Sequence, residues 1–244
     1  MRKKQFIFKL TNRQKYLMCI VFIPFYLLYG ATIVALVMQF ILSQMSIEME
    51  LTTFQAYLNF YLDFILIGIL IWIFKDMLKK QAIEFMNHFK KNILQSLVIG
   101  PILVMILNML GTLLMIYCGV FATENQNTVV QILNEQILVF EFTAVCLAPV
   151  IEELLFRGFV MNWIYEIHPL LAHIVSALAF GFLHVFNVVL SGDMTGFVQM
   201  IPYAFMGLGL SYFYEKVIIY IILLDKVFVD IREDHINMTP LFLS

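Results

Sequence analysis

Charge is what this sequence lacks. Of 244 residues only 13% are Asp, Glu, Lys or Arg, while 62% are hydrophobic. A soluble domain carries roughly a quarter charged and about half apolar residues, so a soluble globular class is excluded. Cysteine chemistry is missing as well. Cys19, Cys118 and Cys146 lie far apart inside apolar stretches, without metal or redox spacing, and read as small core residues. There is no internal repeat, no low-complexity tract and no Gly/Ser- or Pro-rich linker. Lys and Arg are absent from 44–55, 120–132 and 190–196. The basic start is followed by an apolar run too long for a signal-peptide core and with no small-residue cleavage site, so that run is expected to be retained.

The apolar runs that remain predict an all-α, polytopic transmembrane helix bundle in one membrane domain, 1–244. Segments long enough to cross a bilayer fall at about 16–43, 56–74, 93–119, 133–165, 169–190 and 197–214. Val217 to Leu224 is a short apolar stub, and 225–244 is a polar tail. Short alternating segments, the signature of a β-barrel, are not seen. Apart from Arg157, the basic residues fall before the first span, between the second and third, and after the sixth. The positive-inside rule then predicts a multi-pass protein of the cell membrane with a cytoplasmic N-terminus and tail. Asp76 to Asn92 mixes apolar residues (Met77, Leu78, Ile83, Phe85, Met86, Phe89) with five basic ones, counting Lys75, and reads as a short helix on the cytoplasmic membrane surface or as a charged connector. Membrane lipid and a peptide or protein are the expected partners; nucleic acid is not.

Against this apolar background one cluster stands out. The fourth span contains Ala148-Pro149-Val150-Ile151-Glu152-Glu153-Leu154-Leu155-Phe156-Arg157-Gly158, and the fifth contains Phe180-Gly181-Phe182-Leu183-His184. Ionisable groups in a bilayer are expensive, so a cluster of them is a functional-site hypothesis by default. If residue 168 is the turn between the two spans, Glu152 lies 16 residues before it and His184 16 after. Antiparallel helices then bring both to the same depth, about 24 Å from the turn. Arg157 and Phe180 match in the same way. Glu153 and Arg157 form an i,i+4 pair with the acid first, the favoured order on one helix face, which leaves Glu152 for acid–base work. Pro149 predicts a kink just ahead of Glu152. Gly181 allows close helix approach.

A carboxylate and an imidazole suit water activation, either directly or through a metal held jointly. The catalytic candidates are Glu152, His184, Glu153 and Arg157. Phe180 and Asn187 are the candidate substrate-binding residues, Asn187 as an oxyanion donor or as a helix–helix hydrogen-bonding group. Asp63 and Glu141 also lie within spans, and His173 shares a face with His184 nearer the cytoplasmic end. The alternatives to an enzyme are a non-catalytic scaffold that binds a peptide in the same cavity and a small proton-coupled transporter.

These two segments resemble the Glu-Glu-x-x-x-Arg and Phe-x-x-x-His motifs of the CAAX protease and bacteriocin-processing (CPBP) family of intramembrane proteases. Met206 to Lys216, with Gly207 and Gly209, is similar to the glycine-rich helix that precedes the family's last motif. The resemblance covers about 133–216 as a protease-like core. It implies a membrane endopeptidase in which Glu152 activates water, His184 assists as base partner or metal ligand, and Glu153 and Arg157 shape the site. It implies a divalent metal such as zinc, or a glutamate-type enzyme without one. It also implies a substrate among lipidated or leader peptides: eukaryotic relatives cut prenylated CAAX tails, and bacterial ones are linked to peptide processing and bacteriocin immunity. The family's last motif, His-x-x-x-Asn or His-x-x-x-Asp, departs here. Asp225 stands about where the histidine is expected, and Val229 follows four residues on. Either the C-terminus is altered or shortened, for instance by a frameshift near Lys216, or the chain is a natural non-catalytic variant.

Overall fold

The computed structural model describes residues 8–87, 89, 98–123 and 138–216. Among these there is no strand, and six helices follow one another: α1 (Asn12–Met45), α2 (Leu51–Asn87), α3 (Gly100–Tyr117), α4 (138–165), α5 (Pro169–Leu190) and α6 (Gly196–Lys216). The apolar stub and the polar tail expected after Lys216 lie outside the described residues. Four helices, α1, α2, α3 and α5, are long and apolar enough to cross a membrane. The other two expected crossings are helical as well, but α4 carries Glu141, Glu152, Glu153 and Arg157, and α6 carries Gln199, Ser211 and Glu215. The all-helical bundle is as expected; a count of six crossings is not established by helix length and apolarity.

Local chemistry explains the helix ends. Thr11 caps α1 with a capping box: its hydroxyl accepts the Gln14 N–H, and the Gln14 side chain accepts the Thr11 N–H. Pro169 opens α5, where its missing N–H costs nothing. Gly192, at φ 88°, supplies the left-handed residue that ends α5. Of the segment expected as a separate surface helix or a charged connector, residues 76–87 do not break away from the helix before them, and 90–92 lie outside the described residues. From Leu51 the helix runs for 37 residues, about 55 Å, through Lys75 to Asn87. No glycine or proline interrupts it near Lys75, and Met77 and Gln81 are buried against other helices, so packing carries the helix past the bilayer depth.

Pro149 does disturb α4, by widening the helix. The turn before it, Thr143–Leu147, is of π type, with Ala148 N–H reaching back five residues to the Thr143 carbonyl; Glu153–Met161, after the proline, is of π type on its own account. Such bulges relieve the clash that proline makes with the preceding turn, and they often mark functional sites.

The bundle is closed by α6, which lies between α5 and α3, while α4 packs on α5 and α2. Gly207 permits the α5–α6 contact: a Cβ there would stand 2.9 Å from Ala177 Cα. Lys15 on α1 pairs with Glu166 at the α4–α5 turn at 3.1 Å, and the Gln14 amide donates to the Ile73 carbonyl. The basic start of α1, the middle of α2 and the α4–α5 turn therefore share one end of the bundle. The outer helix faces remain apolar, with Ile20, Leu28, Phe40, Phe64 and Leu113 exposed. Lipid is the solvent that such faces require.

Candidate functional site

The charged residues of α4 project inward because the apolar core surrounds them: Ile151, Leu154, Leu155, Phe156 and Phe159 are all buried. Glu153 and Arg157 are wholly inaccessible and form an ion pair, Nη1 to Oε1, at 3.0 Å. Arg157 Nη2 also donates to the Gly207 carbonyl on α6 at 3.1 Å. Its guanidinium lies 4.8 Å from the centre of the Phe180 ring, a cation–π contact worth most when water is excluded. One side chain thus links α4, α5 and α6. The expected Glu153–Arg157 pairing and the Arg157–Phe180 match are both present in space.

Glu152 and His184 also meet. His184 Nε2 stands 3.7 Å from Glu152 Oε1, and each side chain keeps 12% of its surface accessible. The imidazole is oriented by its own helix. Nδ1 lies 2.9 Å from the Phe180 carbonyl. A carbonyl only accepts, so Nδ1 carries the hydrogen, and in the neutral ring Nε2 presents a lone pair towards Glu152. A carboxylate is also acceptor-only. Two acceptors held 3.7 Å apart cannot bond each other, but one water placed between them can donate a hydrogen to each. The arrangement is a seat for a polarised water beside two proton acceptors.

Phe180 is fully buried, edge-on to Phe156 at 5.4 Å and packed on the His184 ring at 4.5 Å. It separates the Arg157 guanidinium from the imidazole. Asn187 is exposed near the end of α5, where its backbone carbonyl accepts the Ser191 N–H. Asp63 lies half-buried on α2. His173, on α5, reaches α6 and touches Ser211 and Glu215.

Two groups were missed in the sequence. Tyr203 on α6 stacks on His184, with ring centroids 4.4 Å apart and planes 20° from parallel. Depth matching could have found it: about the α5–α6 turn at Asp193, His184 lies 9 residues before and Tyr203 10 after. Asn162 is wholly buried; it donates to the Arg157 and Gly158 carbonyls and the Tyr214 hydroxyl, and accepts the Phe8 N–H. No sequence signal distinguishes this asparagine from a surface one.

A catalytic zinc takes three protein ligands. Among the described residues, no group of three or more His, Cys, Asp or Glu side chains comes together. Glu152 and His184 alone do not make up such a site.

A multi-helix bundle with apolar outer faces, enclosing an ion pair and an acid–imidazole pair, defines a membrane protein with an intramembrane polar site. Residues 134–224 match the family described as Type II CAAX prenyl endopeptidase Rce1-like. The match covers 91 of the 244 residues, the stretch that carries both motifs, and is a likeness to the kind of family that those motifs led us to expect. No curated protein and no solved structure matches the chain.

Proposed function

We propose that the chain is an intramembrane endopeptidase that cleaves a membrane-associated peptide with water activated by Glu152 and His184. The single observation that carries this reading is the pair of facing acceptors, Glu152 Oε1 and His184 Nε2, 3.7 Å apart inside the bundle. A water seated there gives one proton to the carboxylate or the imidazole as its oxygen attacks the scissile carbonyl. The same group returns the proton to the leaving amine as the C–N bond breaks. Glu153 and Arg157 take no proton in this scheme. Arg157 holds α4 against α6 through its bond to the Gly207 carbonyl, the ion pair offsets the charge beside Glu152, and Phe180 spaces Arg157 from the imidazole. The family match supports a peptide carrying a lipid, with a prenylated CAAX-type tail as the first substrate to try. The basic start of α1, held at the same end as Lys75, supports a cytoplasmic N-terminus.

The test is cleavage by the full chain in liposomes, with prenylated and unmodified peptides of the same sequence and mass detection of the released fragment. Glu152→Gln should lower the rate by about 10²–10⁴-fold, the usual share of one general base, without loss of the folded bundle. Equal cleavage by wild type and E152Q overturns the reading. A second reading, a peptide-binding scaffold of the same fold, is favoured by the missing histidine of the last family motif, where Asp225 stands. It requires binding of the peptide with no cleavage, equally by wild type and E152Q.

A further inference from the structure

His184 is gripped on three sides, and only two of them belong to its own helix. The Phe180 carbonyl holds Nδ1 at 2.9 Å, and the Phe180 ring packs at 4.5 Å. A single hydrogen bond to Nδ1 leaves the imidazole free to swing about that contact, and a swing carries Nε2 away from Glu152. Tyr203 closes the third side from α6. Its ring lies flat on the imidazole, 4.4 Å away at 20°. The phenol is itself tethered: its hydroxyl is 2.9 Å from Thr123 Oγ1, with both residues buried. Thr123 lies beyond the end of α3, so the tether ties the segment after α3 to the ring that covers His184. The backbone beside Tyr203 is fixed as well, since a Cβ at Gly111 of α3 would stand 2.7 Å from Pro202 Cα.

We propose that Tyr203, anchored by Thr123, is a positioning residue that fixes the plane of the His184 imidazole so that Nε2 faces Glu152. The proposal rests on the reading of Glu152 and His184 as the water-activating pair, and it adds a residue outside both sequence motifs. Simple packing predicts that Tyr203→Phe is silent, because the phenyl ring fills the same space. Positioning predicts a loss, because without the hydroxyl the ring is no longer tied to Thr123.

The experiment uses the full chain in lipid nanodiscs with ¹⁵N-labelled histidine, the His184 signals being assigned by their disappearance in His184→Gln. Wild type should show one neutral tautomer with the hydrogen on Nδ1. Tyr203→Phe and Thr123→Val should each give a mixture of tautomers, the double variant should go no further than either single one, and Thr123→Ser should restore the wild-type pattern. In cleavage assays the two single variants should lower kcat about tenfold, within the ~100-fold that small misplacements can cost, with KM unchanged within about twofold. A wild-type tautomer pattern and kcat in both single variants overturn the proposal. If the tautomers mix as expected while wild type and E152Q cleave alike, the positioning stands and the enzyme reading falls.

Discussion

Two histidines on one helix face, eleven residues apart, sit in opposite kinds of environment. His173 has both ring nitrogens engaged: Nδ1 with Ser211 Oγ at 3.0 Å and Nε2 with Glu215 Oε2 at 3.2 Å. Its partners are engaged in turn, since Ser211 donates to the Leu208 carbonyl and Tyr165 donates to Glu215 Oε1. His184, three turns or about 16 Å further along, has one nitrogen fixed and the other facing a carboxylate beyond hydrogen-bond reach. The His173 cluster clamps α4, α5 and α6 together. The cluster around His184 is held just as firmly from behind, but keeps two acceptors aimed at one point. The two clusters thus differ in what their fixed groups meet, not in residue types, which are His and Glu in both, and under the proposed function the His184 cluster is the reactive one.

The contrast extends to the ion pairs, and the largest expected effect tests it there. Glu153 and Arg157 are wholly buried, whereas the His173 and Glu215 side chains keep 17% and 16% of their surface. Arg157→Ala strands a carboxylate in the apolar core and removes the bond to the Gly207 carbonyl. It should cost about 3–5 kcal/mol, the penalty for leaving one member of a buried pair alone, read as stability against denaturing detergent. Glu215→Gln keeps the shape and hydrogen-bonding atoms of a partly accessible pair, so about 1 kcal/mol or less is expected in the same assay, with cleavage unchanged. If Glu215→Gln destabilises as much as Arg157→Ala, or abolishes cleavage, the division between a clamp and a reactive site fails.

Much of this was legible in the sequence because depth along a helix is a simple function of residue number. Counting from the turn at residue 168 brings Glu152 opposite His184 and Arg157 opposite Phe180, and both pairs meet. The i,i+4 spacing gave the Glu153–Arg157 pair for the same reason. Rotation about the helix axis does not follow from counting. It is set by interhelical packing, which is why Asn187, one turn beyond His184, could not be placed in advance and is exposed. The length of α2 does not follow from composition: polarity rises at Lys75, but the backbone has no reason to stop there while Met77 and Gln81 still have a surface to pack on. Tyr203, Thr123 and Asn162 escaped because their roles depend on contacts between distant segments, of 80 residues for Tyr203 with Thr123 and 154 for Asn162 with Phe8.

The smallest effect concerns the turn that delivers α6, and with it Tyr203, to the His184 end of the bundle. Asp193 accepts the Thr195 N–H and the Thr195 hydroxyl, each at 2.8 Å, just ahead of the first turn of α6. These two bonds, the backbone one first, favour the ionised carboxylate and hold its pKa below the usual aspartate value. Because the folded value is the depressed one, the contribution is complete above the ordinary aspartate range and is lost as pH falls through the folded value. Amide exchange at Thr195 should therefore quicken, relative to neighbours in α6, as the solution is taken below that range. Asp193→Ala should show the faster exchange at every pH, with no step. The loop is exposed, so the change stays local: the tautomer of His184 and the clamp at His173 should not respond. A step of the same size in Asp193→Ala would assign the titration to another group, and a response at His184 would mean that the α5–α6 turn helps to set the reactive end, which the two-cluster contrast does not allow.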